Sequence, residues 1–285
     1  MRGFELHHVS LRTGSDALAD KCVDYYCSVL GMRVVRPAPL FNEQNIVYLA
    51  DAAYPDRTPL QIVGRCYHKD PLREQVPFLN RLCFLVDCLD DAFEDLSADG
   101  VNFHVEPNDQ NGLYFARCSD PAGIEIEIRQ RSGLVANLET GMTLKEIPVK
   151  INHVGILAGT SKMARKTETF YVERFGMREV LRGESNQEGM DWVYLQDSSG
   201  KNPFWLEIVG DLFFDQEKEF IEKYETGMDH LSFEVFDANA VYQMIKNDGE
   251  KIEIEPFDFG GMRMFYVKDP CGTMVQFIQP PDPIK

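Results

Sequence analysis

The sequence predicts an α+β fold: four βαβββ modules paired into two domains, each a curved mixed sheet flanked by helices. Three observations carry this. Four strand-like openings recur at a near-constant step, each leads into a helical pattern that stops at a glycine, and each helix is followed by further strand-like stretches. The openings are LHHVSLRT around His8, NRLCFLVD around Arg81, INHVGILA around His153 and MDHLSFEV around His230, at steps of 73, 72 and 77 residues.

In the first unit, Leu18, Cys22, Tyr26 and Leu30 lie on one helical face, and Gly31 supplies the stop. Leu89, Phe93 and Leu96 do the same before Gly100, Phe170 and Phe175 before Gly176, and Val241, Met244 and Ile245 before Gly249. Apolar residues three and four apart followed by glycine are what an amphipathic helix with a left-handed cap requires. Strands are then read in MRVVRP, NIVYLAD and LQIVG of unit one and in MREVLRG, DWVYLQD and FWLEIVG of unit three. Units two and four end differently, in LYFARCSDPAGIEIEI and RMFYVKDPCGTMVQFI. Each holds an Asp-Pro-x-Gly turn, in which proline presets one dihedral and glycine accepts a positive one. First-to-last-strand spacings separate the two kinds of unit: 46 residues in both even units, 53 and 54 in the odd ones.

A chain of 285 residues is long enough for two domains. The expected division is 1–132 for units one and two, 133–148 as linker, and 149–285 for units three and four. Hydrophobic residues at 44% and charged residues at 26% exclude a disordered chain. A net charge of −17 argues against nucleic acid and anionic lipid surfaces as partners. No signal-like run follows Arg2 and no stretch of eighteen apolar residues occurs, so a cytoplasmic protein without a membrane segment is expected. The seven cysteines (22, 27, 66, 83, 88, 118 and 271) include no C-x-x-C pair and read as small, reduced core residues. P-loop, G-x-G-x-x-G, G-x-S-x-G and H-E-x-x-H patterns do not occur.

The first and last strands of each unit contribute one residue each at repeat-equivalent positions. With units paired in sequence order, the second domain collects His153, Glu207, His230 and Gln276, two imidazoles, a carboxylate and an amide oxygen that suit a divalent metal. The first domain collects His8, Gln61, Arg81 and Glu127. Arginine offers no lone pair and repels a cation, so this set is expected to be degenerate. A lone strand histidine is ordinarily a hydrogen-bonded structural residue, which is the reading for His7, His68 and His104. Glu127, in the alternating GIEIEI run, reads equally as an exposed strand position.

The fourfold repeat, the HV and HL openings and the FYVKDPCGTMVQ run of residues 265–276 resemble the vicinal oxygen chelate superfamily. That family includes glyoxalase I, methylmalonyl-CoA epimerase, fosfomycin- and bleomycin-resistance proteins and extradiol ring-cleavage dioxygenases. The resemblance implies one divalent ion (Zn, Ni, Co, Mn or Fe(II)) that binds two oxygens of a small-molecule substrate. Under the glyoxalase-like reading the protein is a metal-dependent isomerase, epimerase or lyase working through an enolate or enediolate. Glu207 is then ligand and base in turn, and Tyr266 is catalytic. Arg182, Trp192 and Trp205 are candidate substrate contacts, with core packing as the alternative for the two tryptophans. The dioxygenase reading places iron on His153 and His230, but Gln276 stands where that pattern has a carboxylate. Pairing units one and four instead would set His8 beside His230 and Gln276, as in hydroquinone-cleaving relatives, and leave Glu207 unused. A metal-free binding protein of the bleomycin-resistance kind is the third reading. A homodimer is compatible with the fold, although two complete domains do not need one.

Overall fold

Every unit folds in the expected order of strand, helix and three strands. The computed structural model describes residues 4–37, 46–51, 57–64, 79–110, 112–131, 150–184, 190–200, 204–211 and 227–281. Unit one comprises β1 (Glu5–Arg12), α1 (Asp16–Ser28), β2 (Arg33–Pro37), β3 (Ile46–Ala50) and β4 (Leu60–Val63). Unit two comprises β5 (Leu79–Val86), α2 (Leu89–Ala98), β6 (Phe103–Gln110), β7 (Leu113–Ser119) and β8 (Glu125–Gln130). Unit three holds β9 (Lys150–Leu157), α3 (Ser161–Phe175), β10 (Arg178–Glu184), β11 (Met190–Gln196) and β12 (Trp205–Asp211). Unit four holds β13 (Gly227–Glu234), α4 (Ala238–Asn247), β14 (Ile252–Phe259), β15 (Met262–Lys268) and β16 (Met274–Gln279). The expected linker 133–148, Cys66 and His68 lie outside the described residues.

Local chemistry sets the helix ends. Ser15, Thr160 and Asp237 accept the backbone N–H three residues on, starting α1, α3 and α4. Gly176 ends α3 in the left-handed region at φ 64°, the conformation for which a glycine stop was read. No helix among the described residues is long and apolar enough to cross a membrane. Of the cysteines, 22, 83, 118 and 271 are buried as expected, whereas Cys88 is exposed.

The sixteen strands form two eight-stranded sheets, and here the expected pairing is corrected. The first sheet runs β14-β15-β16-β13-β1-β4-β3-β2 and joins units one and four. The second runs β10-β11-β12-β9-β5-β8-β7-β6 and joins units two and three. Each sheet therefore takes one unit from each half of the chain. The seams are antiparallel pairs of first strands, β1 with β13 and β5 with β9.

Strand alternation divides the two faces of each sheet. Leu231 and Phe233 of β13 and Val275 and Phe277 of β16 enter the main core under the helices. Phe277 stacks on Phe265 at 4.9 Å and meets Phe175 of α3 at 5.1 Å. Units adjacent in sequence still share that core. The Tyr26 hydroxyl of α1 donates to Asp120 and that of Tyr171 of α3 donates to Asp269, each at 3.0 Å. Both aspartates begin the Asp-Pro-x-Gly turns and also accept turn backbone N–H groups. Asp51 and Asp197, equivalent positions in units one and three, each accept a backbone N–H from the other unit's first strand, at Ile151 and Leu6.

Charge complementarity explains the pairing. The buried carboxylates Glu127 and Glu207 lie on one sheet with the buried guanidiniums of Arg81 and Arg129. Pairing in sequence order would have separated Glu207 from Arg81, leaving a costly unmatched buried charge on each sheet.

Candidate metal centre

The seam of the first sheet brings two histidines face to face. Register sets His8 opposite Ser232 and Ser10 opposite His230, so the two rings lie diagonally across the seam on one face. Their centroids are 5.5 Å apart. Gln61 of β4 lies beside Ser10, and Gln276 of β16 lies beside Ser232. Two rows result, His8-Ser232-Gln276 and His230-Ser10-Gln61, related by the repeat. The serines are small and leave space between the larger side chains. All six residues are buried.

Several polar atoms here have no protein partner: His8 Nε2, His230 Nε2, Gln276 Oε1 and the hydroxyls of Ser10 and Ser232. A buried polar atom without a partner is costly and points to an ion or a water. The surrounding bonds aim lone pairs inward. Asp229 takes the Nδ1 proton of His230 at 2.8 Å and is itself held by Arg12 at 2.7 Å. This is the carboxylate–histidine arrangement that fixes Nε2 as the coordinating atom. Burial works against the Asp229 charge, but the His230 bond and Arg12 hold its carboxyl below the usual range. His8 Nδ1 lies 2.7 Å from Nδ1 of His7, and donation from His8 leaves its Nε2 lone pair toward the site. Burial first, then the neighbouring His7 and His230, pushes the His8 imidazole well below its ordinary value, keeping it neutral.

Each glutamine is turned by a tyrosine on the next strand. The Gln61 amide donates to Tyr48 at 2.6 Å, and the Gln276 amide donates to Tyr266 at 2.5 Å and to Met264 Sδ at 3.5 Å. Both N–H groups of Gln276 are thereby used, and its Oε1 faces the site. His8, His230, Gln61 and Gln276 offer imidazole nitrogen and amide oxygen, a donor set that fits a divalent metal.

The equivalent place on the second sheet holds a cation of its own. Arg81 sends Nε and Nη2 to Glu207 Oε2, at 3.2 and 3.0 Å, and Nη1 to Glu127 at 3.5 Å. Glu127 also binds Arg129 and Arg117, and Glu207 accepts from Tyr194 at 2.7 Å. Gly155 makes room, since an added Cβ would stand 3.0 Å from the Arg81 side chain. Although burial opposes ionisation, Arg129 and Arg81 hold the Glu127 carboxyl at about 2, and Arg81 leads the groups that hold Glu207 well below the usual range. Cys83, Glu127 and His153 do bring ligand atoms within 4.8 Å of one another. The Arg81 and Arg129 guanidiniums are bound to Glu127, so the carboxylate of this set is already charge-matched.

The expected site is corrected accordingly. His153 and Glu207 lie on the second sheet, while His230 and Gln276 lie on the first with His8 and Gln61. Glu207 stands on the second sheet as the partner of Arg81, apart from His230 and Gln276. Glu127 is fully buried, not exposed. Trp205 packs near Tyr194 on the second sheet, Trp192 lies against Tyr194 and Gly183, and Arg182 pairs with Glu168, Glu179 and Asp191. None of these three stands at the first-sheet centre. Tyr266 does, together with Tyr48, for which no role is expected from the sequence, and His7, expected to be a hydrogen-bonded histidine, lies against His8. His104 is half exposed beside Glu125.

The sequence profile of the Glyoxalase/Bleomycin resistance protein/Dioxygenase superfamily matches residues 5–128 and 150–277. The chain belongs to this superfamily. Glyoxalase I from Zea mays is similar in structure, with a TM-score of 0.70 at 17% identity, covering 97% of this chain and 92% of that one. A candidate dioxygenase from Bacillus subtilis superposes with a TM-score of 0.68 at 15% identity, covering 98% and 86%. Likeness at these identities shows the superfamily fold and leaves the reaction open. A search of curated proteins finds no match.

Proposed function

We propose that this superfamily member is a divalent-metal-dependent enzyme acting on a small substrate that chelates through two adjacent oxygens. His8, His230, Gln61 and Gln276 would hold the ion. The observation that carries the reading is the convergence of two imidazole nitrogens and an amide oxygen, all buried and unpartnered, with Asp229 fixing one ring. Bound there, the metal supplies Lewis-acid polarisation of the substrate oxygens. The chain's own residues do the rest. Asp229 and His7 orient the imidazoles, Tyr48 and Tyr266 orient the amides, and the Tyr266 hydroxyl is one of the proton-bearing groups there, with those of Tyr48, Ser10 and Ser232.

An isomerase, epimerase or lyase is the first reaction class, with Tyr266 in the acid–base role once assigned to Glu207. Ring cleavage of a catechol or hydroquinone with Fe(II) is the second. One observation favours it: units one and four pair, which sets His8 beside His230 and Gln276, the arrangement the resemblance gives for hydroquinone-cleaving relatives, with Gln276 standing where a carboxylate is expected. Metal analysis of the purified protein, followed by two assays, tests the proposal. The assays are solvent-deuterium incorporation into α-hydroxycarbonyl compounds and oxygen uptake with catechols and hydroquinones. Bound metal with deuterium incorporation supports the first class, and bound Fe(II) with oxygen uptake supports the second. Small-molecule binding without any metal, after divalent ions are added back, would leave a binding protein and overturn the enzyme reading.

A further inference from the structure

The second sheet repeats the rows of the first with other residues. Register sets Cys83 opposite His153 across the seam of β5 and β9, Glu127 of β8 opposite Cys83, and Trp205 of β12 opposite His153. Cys83 thus takes the place that Ser10 has in the row His230-Ser10-Gln61, and a sulfur donor stands where the first sheet has a hydroxyl. Cys83 Sγ, a His153 ring nitrogen and a Glu127 oxygen lie within 4.8 Å of one another, and all three residues are buried. The imidazole is turned for coordination. Its Nδ1 lies 2.8 Å from Asn152 Oδ1, an oxygen that only accepts, so Nδ1 carries the proton and Nε2 the lone pair. Nε2 is buried without a hydrogen-bond partner among the described residues, Glu207 Oε2 standing 3.5 Å off.

We propose that Cys83 and His153 form a second metal site, two-coordinate and selective for a monovalent thiophilic cation of the Cu(I) or Ag(I) kind. It is separate from the divalent centre of the first sheet and does not depend on it. Thiolate sulfur selects soft ions. Two bonds of roughly 2.0–2.3 Å in line, the lengths found for zinc with nitrogen and sulfur, span about 4.3 Å and fit the spacing of the two donors. Charge favours the monovalent ion. Burial pushes the Cys83 thiol well above its ordinary value, so the sulfur keeps its proton until an ion displaces it. In that exchange the S–H bond breaks, an S–metal bond forms, one proton leaves to solvent, and the charge of this face stays as it was. A divalent ion would add a positive charge beside the buried Arg81 and Arg129, whose guanidiniums are bound to Glu127 and, through Arg81, to Glu207.

The test titrates the full chain with Ag(I) in chloride-free buffer and follows tryptophan fluorescence. Trp192 and Trp205 are the two tryptophans of the chain and both lie on the second sheet, Trp205 opposite His153, so quenching by the heavy ion reports binding at this place. The unaltered protein is expected to take up a single tight equivalent with quenching, and an excess of Zn(II) is expected to leave that equivalent bound. Cys83→Ser and His153→Ala are each expected to weaken the step at least about tenfold, the loss that even an outer-shell partner of a metal causes. Replacing the exposed Cys88 with serine is expected to leave it unchanged. Absence of the step from the unaltered protein, its retention in either site variant, its loss in Cys88→Ser or its displacement by Zn(II) overturns the proposal. None of these results bears on the divalent centre, which is read from substitutions on the first sheet. Circular dichroism is recorded for each variant. Cys83 and His153 lie in different units, so misfolding of one variant leaves the other to decide.

Discussion

Replacing Arg81 with methionine removes the internal cation of the second sheet while keeping an unbranched side chain to fill its space. Arg81 supplies three contacts to two carboxylates, two of them to Glu207 at 3.0 and 3.2 Å. After the change Glu127 keeps Arg129 and Arg117, so most of the lost compensation falls on Glu207. Glu207 keeps the Tyr194 hydroxyl at 2.7 Å, His153 Nε2 at 3.5 Å and Arg129 at 4.0 Å. Deleting one member of a buried pair costs about 3–5 kcal/mol, and the remaining partners place this case near the lower end, about 3 kcal/mol. Neutralising the orphaned acid with the double change Arg81→Met and Glu207→Gln is expected to recover about 2 kcal/mol of that. Urea unfolding followed by far-ultraviolet circular dichroism measures both quantities. A single variant within about 1 kcal/mol of the parent, or a double variant no more stable than the single, would refute the view that Glu207 exists to be paired by Arg81.

Tyr266→Phe is expected to weaken divalent-metal binding at least about tenfold by releasing the Gln276 amide to turn over, measured by chelator competition. In a Gln276→Glu background the same change should have little effect on metal affinity, because a carboxylate presents oxygen either way round. Asp120 and Asp269 predict a pH dependence of stability. Burial raises both carboxyls from an ordinary value of 3.8 to about 6, so the folded state resists their ionisation. Stability contributed by these two groups is therefore present at low pH and lost as pH rises from about 4 to about 6, by about 3 kcal/mol for each. Asn substitutions at both should flatten that part of the stability profile relative to the parent, as read from denaturation midpoints at pH 4, 5 and 6.5. A difference profile without slope across this range would count against buried, ionising aspartates.

The repeat was legible because every unit spells the same signals: a strand, an amphipathic helix stopped by glycine, and three more strands. His8, Gln61, His230 and Gln276 were legible as repeat-equivalent positions. Which first strand pairs with which was not, since four similar alternating strands offer four similar edges and periodicity says nothing about partners. Glu207 shows the consequence. FWLEIVG implies its burial and a metal would account for it, whereas a guanidinium from a different unit compensates it. A signal was available in the charges themselves: Arg81 is the one cation among the four first-strand positions, and an inward carboxylate at a last-strand position is its natural partner. Tyr48 could have been found by the same alignment of units, because NIVYLAD, DWVYLQD and FYVKD set Tyr48, Tyr194 and Tyr266 on the strand before each last strand. Rows of side chains across the seams, such as His8-Ser232-Gln276, exist only after register is known.

The central claim is that the seam of units one and four, not of units two and three, holds the metal. Metal content of the purified protein, measured beside His8→Ala, His230→Ala and His153→Ala, tests it most directly. About one equivalent is expected in the parent and in His153→Ala, and loss in both first-sheet variants. Retention in His8→Ala together with loss in His153→Ala would contradict it.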